Sequence, residues 1–317
     1  MHPHSSRLSA ALLLALLSSL SMAADAKGRP GTGPTEPADP DVVLPVRVAC
    51  SATINLWAQD MTDPQVADTC AQLSSQETDF HQRMQTFGTP VADDDNDSLR
   101  VVVFDDYTQY DKYGYELFNI NTNNGGIYIE GNPAAPGNQA SFYAHEADWL
   151  RPEFQIWNLR HEYIHYLEGR FVSYGGFNFY PDSMVWWAEG LAEYLSLGSN
   201  NASAVNLALS TRAARRPTLS SIFSTSYRDG TDKVYRWSDL AVRFLFERHQ
   251  AELLAMTEHL KHNDFTGYKA ALNDFAANYQ GEFSSWIDTL QTQVLTFTDS
   301  QREQMLLKHS EQKGRHR

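Results

Sequence analysis

The chain contains His161-Glu162-Tyr163-Ile164-His165, two histidines four positions apart with a glutamate beside the first. Residues four apart share one face of an α-helix, so both imidazoles can reach a single metal ion while Glu162 stands alongside as a base. A catalytic zinc site takes three protein ligands and keeps a fourth position open. Glu189, 24 positions beyond His165, and Glu193, one turn further on, offer the third ligand from a second helix. One of these carboxylates can bind the metal while the other accepts a hydrogen bond from the far nitrogen of a ligand histidine. Glu189 is assigned to the metal and Glu193 to the position behind it. Spacing alone leaves that order open, and Glu168, on the motif helix itself, is a third candidate. An H-E-x-x-H string is expected by accident roughly 0.02 times in a chain of this length and composition. The competing reading is an exposed helix carrying ordinary histidines and solvated glutamates.

The neighbouring residues argue against that alternative. Phe154, Ile156, Trp157, Leu159, Ile164 and Leu167 put apolar groups on more than one side of the motif, so its helix should be largely buried. A buried histidine pair needs polar partners or a metal, because an unsatisfied buried polar group is costly. This helix is expected to begin at Arg151-Pro152-Glu153, with proline at its first position, and to be capped by Gly169. Glu189 and Glu193 lie in a second helix from Val185 to Leu195, among Trp186, Trp187, Leu191 and Leu195. Leu99 to Phe104 reads as a buried strand, and Gly126 to Glu130 as another, entered through the turn residues Asn123-Asn124-Gly125. At a sheet edge, the free N–H and C=O groups of Ile127, Tyr128 and Ile129 could pair with an extended peptide; an internal strand fits the residues equally well. Ile54 to Phe87 reads as helical with a break near Asp63-Pro64, and Thr218 to Phe297 as a packed helical subdomain. The polar, basic tail at 301–317 is expected to be frayed.

The chain has 317 residues, 42% of them hydrophobic, enough to bury a sizeable core in one large or two small domains. A formal charge of -14 disfavours nucleic acid and anionic membranes as partners. His2, His4 and Arg7, the apolar run Leu8 to Leu20 and Ser21-Met22-Ala23 form a secretory signal peptide over 1–23, with cleavage after Ala26 as the alternative. No later stretch reaches the length a bilayer requires. Residues 24–48, rich in Pro, Gly and Asp, read as a flexible linker. Export to an oxidising compartment pairs Cys50 with Cys70, the two cysteines of the chain. That loop would add roughly 3 kcal/mol of stability in the chain-entropy model. The mature protein is expected outside the cell, or in a periplasm, as a soluble monomer.

With these motifs placed, the chain resembles the bacterial collagenase family of gluzincin zinc metallopeptidases. The likeness rests on N-N-G-G-I-Y-I-E at 123–130, H-E-Y-I-H-Y-L-E-G-R-F at 161–171, W-W-A-E-G-L-A-E-Y at 186–194 and V-Y-R-W-S-D-L-A-V-R-F at 234–244. The resemblance implies one catalytic zinc on His161, His165 and Glu189 with Glu162 as general base, which favours Glu189 over Glu193 as the third ligand. It implies an α+β fold of gluzincin (thermolysin-like) type: a small mixed sheet over the active-site helix, a catalytic part at 49–216, and a helical C-terminal helper subdomain at 217–300. It implies that Ile127, Tyr128 and Ile129 form the edge strand that aligns substrate. It also implies a calcium site near the zinc, with Glu130 as its side chain and carbonyls from Gly169 to Gly175 as partners. A tyrosine from the helper region stabilises the oxyanion in the family; Tyr235 is the choice here, with Trp237 and Asp239 beside it.

Members that digest native collagen carry a large activator domain for which this chain has no room, so a stand-alone peptidase domain is expected. The expected function is a secreted zinc endopeptidase acting on collagen-like or gelatin-like chains. The alternatives are a catalytically weak or inactive relative that binds extracellular matrix chains, and an unrelated zinc aminopeptidase.

Overall fold

The structure, a computed structural model, describes residues 38–176 and 184–305. The expected signal peptide, the linker up to residue 37 and the tail from residue 306 lie outside the described residues. In chain order the elements are α1 (Pro40–Val43), β1 (Val46–Ala49), β2 (Ile54–Ala58), α2 (Asp63–Met84), β3 (Leu99–Phe104), α3 (Tyr107–Phe118), β4 (Gly126–Ile129) and β5 (Ser141–His145). Then follow α4 (Leu159–Phe171), α5 (Val185–Leu197), α6 (Ala202–Ser210), α7 (Leu219–Phe223), a π-helical segment at Asp232–Trp237, α8 (Ser238–Arg248), α9 (Gln250–Lys261) and α10 (Phe265–Ile287). A last helical stretch, α11, covers 297–305.

The five strands form one mixed sheet in the order β1-β2-β3-β5-β4. β2, β3 and β5 run parallel in the middle, and β1 and β4 close the two edges in antiparallel pairing. The expected strand at Leu99 to Phe104 is the central one. Alternate residues along it serve opposite faces: Val101 and Val103 enter the larger core with Phe80 of α2 and Ile164 and Leu167 of α4, while Val102 and Phe104 pack with Tyr110 of α3. Burial on both faces explains why this strand is continuously apolar. The fold class is mixed α+β, as expected.

Several boundaries differ from expectation. Ile54 to Ala58 is a strand, not the start of a helix; burial alternates along it, with Ile54, Leu56 and Ala58 inside, which is the period of a strand. α2 begins afterwards, with Pro64 in its first turn and the Gln65 side chain accepting from the Thr62 N–H at 2.8 Å. Part of the segment read as linker forms secondary structure: α1 at Pro40–Val43 and β1, which pairs with β2. α4 starts at Leu159, not near Pro152. The residues before it extend the end of β5 instead: Ala147 N–H donates to the Gln155 carbonyl at 2.7 Å and Trp157 N–H to the His145 carbonyl at 2.9 Å. Gly169 lies inside α4, which runs on to Phe171. Residues 301–305 of the expected frayed tail belong to α11, whose start is capped reciprocally: Thr296 N–H donates to Asp299 Oδ2 at 2.8 Å, and Asp299 N–H to Thr296 Oγ1 at 3.1 Å.

α5 is buried almost throughout. It packs on α4 to one side and α8 to the other, where Gly190 makes the approach possible: a Cβ there would lie 2.6 Å from the Ser238 carbonyl oxygen. Trp186 is fully buried and donates its indole N–H to the Tyr268 hydroxyl of α10 at 2.9 Å. Burying Leu191 and Leu195 stabilises this helix by roughly 1.5–3 kcal/mol each. One core runs from β2 through α4 and α5 to α10. The Cys50–Cys70 disulfide joins the end of β1 to α2, with the Cα atoms 5.1 Å apart. Among the described residues no helix is long and apolar enough to cross a membrane.

Candidate metal centre

α4 and α5 cross so that His161, His165 and Glu189 converge, their ligand atoms all within 4.8 Å of one another. His161 Nε2 lies 3.1 Å from Glu189 Oε2 and 3.2 Å from His165 Nε2, and His165 Nε2 lies 3.7 Å from the same carboxylate oxygen. Ligands held about 2.0–2.1 Å from a tetrahedral zinc are separated by about 3.3–3.4 Å, so these three atoms fit one ion. Two imidazole nitrogens facing each other at 3.2 Å need a proton or a cation between them, since two lone pairs repel. The donor set is two nitrogens and one carboxylate oxygen, a set suited to catalytic zinc.

Burial raises the Glu189 carboxyl, but hydrogen bonds with His161 and His165 outweigh it and hold the group well below the usual carboxylate range. Burial likewise lowers the proton affinity of His161, and the contacts with Glu189 and then Glu193 reverse this, lifting it to about 10. Glu193 lies behind His161: its Oε1 is 3.0 Å from His161 Nδ1, close enough for a charge contact though off the hydrogen-bond direction. Glu168 plays a different part. It accepts from the Trp187 indole N–H at 2.9 Å and from the Ser173 hydroxyl, joining α4 to α5 beneath the site.

Glu162 is gripped at both oxygens. Oε1 accepts from the Asn158 side-chain amide and Oε2 from the backbone N–H of Tyr128, both at 3.0 Å. Asn158 sits at φ 58°, a left-handed conformation asparagine tolerates, and so turns the chain into α4 while its side chain reaches one turn ahead. β4 pairs with β5 alone, so it is an edge strand, and the Tyr128 N–H points from its free edge toward α4. Of the two readings left open for this strand, the structure has the edge. Glu130, just past β4, is buried against α4 and the loop behind it: a Cβ at Gly169 would lie 2.3 Å from its Oε1, and one at Gly176 3.2 Å from its Oε2.

Tyr235 reaches the site from the π-helical segment, its ring centre 6.1 Å from that of His161. Burial, followed by the charges of Glu189, Glu193 and Glu162, pushes its phenol well above the ordinary range, so it stays a neutral donor. Trp237 and Asp239, the other residues considered for this role, are buried further back. Two residues carry contacts that spacing did not suggest. The Tyr227 hydroxyl donates to Glu189 Oε1 at 2.6 Å, and Arg302 of α11 grips Glu193. Asn158 could have been found from its i,i+4 relation to Glu162; Tyr227 and Arg302 come from remote segments with no signal in spacing.

A family model described as Collagenase matches residues 35–286. The microbial collagenase of Vibrio alginolyticus is 43% identical over 251 residues, 78% of this chain and 30% of that protein. The microbial collagenase of Vibrio vulnificus is 39% identical over the same shares. Collagenase ColA of Clostridium perfringens is 28% identical over 62% of this chain and 18% of its own length. The chain thus corresponds to about a third of the vibrio relatives it matches.

Proposed function

The chain belongs to the collagenase family of peptidases, and on that premise we propose that it is a secreted zinc endopeptidase of gluzincin (thermolysin-like) type that cuts collagen-like or gelatin-like chains. The observation that carries this reading is the convergence of His161, His165 and Glu189, with Glu162 on the same helix as the histidines.

His161, His165 and Glu189 would hold the zinc. When bound, zinc supplies Lewis acidity toward the scissile carbonyl and brings the pKa of a water near neutrality. Glu162 takes the proton of the attacking water and hands it to the leaving amine, and its two hydrogen bonds fix the carboxylate in place for both transfers. β4 receives the substrate as an added strand, pairing with the peptide backbone through edge groups other than the Tyr128 N–H, which Glu162 holds. Tyr235 donates a hydrogen bond to the carbonyl oxygen as negative charge develops there. Glu130 and neighbouring carbonyls of the Gly169–Gly175 segment form a calcium site, in keeping with the oxygen ligands that ion takes.

The test is hydrolysis of gelatin and of a quenched internal-cleavage peptide, with and without a chelator, followed by zinc add-back. Internal cuts lost on chelation and restored by zinc are expected. Binding of gelatin without any hydrolysis by zinc-loaded protein would overturn the reading in favour of a matrix-binding relative, and release of single N-terminal residues in favour of an aminopeptidase.

A further inference from the structure

We propose that α11 is a working part of the metal centre: Arg302 clamps Glu193, and through it the ring of His161, in the orientation that aims Nε2 at the metal. The inference rests on the zinc reading above and adds a positioning residue to it. Arg302 lies beyond the residues matched to the family, 35–286.

Arg302 Nη1 donates to Glu193 Oε2 at 3.2 Å and Nη2 donates to Oε1, so the guanidinium engages both carboxylate oxygens. Such a fork fixes direction as well as charge, which a lysine ammonium does not. The Arg302 side chain is 16% exposed and that of Glu193 only 2%, so water does little to screen or replace the pair. Glu193 Oε1, the oxygen bound by Nη2, is also the one that faces His161 Nδ1 at 3.0 Å. The imidazole is therefore reached from the chain end in two steps, Arg302 to Glu193 to His161. Asn201 adds a weaker contact, its amide 3.4 Å from Glu193 Oε2.

The neighbourhood gives Arg302 a specific task. Asp239 is fully buried beside this group. Burial, helped by the charge of Glu193, pushes its carboxyl well above the usual range. Arg302 faces Glu193 directly and offsets the charge of its buried carboxylate. α11 is held for this purpose at both ends of its described length, by the Thr296–Asp299 cap and by an ion pair from Glu303 to Arg236 of the π-helical segment.

A merely structural clasp would change melting temperature and little else, so the test reads zinc affinity. Wild type, Arg302→Gln, Arg302→Lys, Glu193→Gln and the double variant Glu193→Gln/Arg302→Gln are titrated with zinc against a chromophoric chelator, with melting of the chelator-treated proteins and kcat and KM on a quenched peptide alongside. Losing a group that orients a ligand histidine costs about 10–100-fold in metal affinity. That loss is expected for Arg302→Gln with KM unchanged, a several-fold loss for Arg302→Lys, and no further loss when Arg302→Gln is added to Glu193→Gln. Wild-type zinc affinity in Arg302→Gln, or an equal loss in both backgrounds, overturns the inference. If Arg302→Gln does not fold, Arg302→Lys decides, and wild-type affinity there overturns it. A wild-type protein that binds no zinc overturns the zinc reading and this inference together; zinc-binding wild type with an indifferent Arg302 overturns this inference alone.

Discussion

The two histidines of the metal centre live in different surroundings. His161 is 4% exposed and has carboxylates at both ring nitrogens, Glu189 on one side and Glu193 on the other, with Arg302 behind the second. His165 is half-buried, and the side of the site that it shares with Glu162 opens toward the free edge of β4. There the groups that hold Glu162 are neutral, one side-chain amide and one backbone N–H. Charged contacts buried away from water make the inner side rigid. The outer side has neutral donors at the Glu162 carboxylate and the edge of the sheet.

The largest effect is expected on the outer side. Glu162→Gln keeps the size of the side chain, accepts from only one of the two donors and removes the base, so kcat on a quenched peptide should fall by about 10²–10⁴ while zinc titration shows affinity within a few-fold of wild type. Comparable loss of zinc would mean that Glu162 belongs to the ligand set rather than to the reacting side. Next, Tyr235→Phe removes the donor set over His161, and kcat should drop by about 10²–10³ with KM little changed. An effect confined to KM would place Tyr235 in substrate binding only.

On the inner side the effects should be smaller and appear as metal affinity. Tyr227→Phe strips one hydrogen bond from Glu189 Oε1. A loss of about 1 kcal/mol, or roughly fivefold in zinc affinity, is expected in a chelator competition; unchanged affinity would show that the Glu189 carboxylate is oriented without it. The smallest effect is a pH dependence of stability. Burial raises the Glu193 carboxyl, but the charge of Arg302 and the contacts with His161 bring it down to about 2 from an ordinary 4.5. A group whose affinity for protons is lower in the folded state stabilises the fold above its unfolded pKa and loses that contribution as pH falls toward the folded value. In chelator-treated protein the melting-temperature advantage of wild type over Glu193→Gln should therefore hold near pH 6 and shrink as pH drops below about 4.5. An advantage that grows in acid would contradict the ionised pair.

Comparing the two sides also explains what could be read from the residues alone. His161, Glu162 and His165 follow from one turn of helix, and the pair Glu189 and Glu193 from one turn of another, so local geometry carries the candidates and leaves open which carboxylate meets the histidines. β3 was legible because a β-branched run between acidic turns has few other uses. β2 was not: I-N-L-W-A is too short to separate the two periods, and its strand character comes from pairing with β1 and β3. β5, S-F-Y-A-H, carries no β-branched residue, yet it is buried throughout, paired in parallel with β3 on one side and antiparallel with β4 on the other. Nothing local distinguishes an edge strand from an internal one, and the position of β4 depended on the order of the whole sheet.

The amino-acid sequence by itself determined that His161, His165 and one of two glutamates a turn apart could bind a metal and that Glu162 could serve as base, since each of these relations lies within a turn or so of one helix or the other. Tertiary structure alone decided that Glu193 faces His161 Nδ1, that Tyr227 holds the other oxygen of Glu189, and that the charge behind the site is balanced from the chain end. Glu193 and Arg302 are 109 residues apart in sequence. No periodicity links such positions; they meet because the crossing of α4 and α5, the close approach at Gly190 and the docking of α11 bury them in the same place.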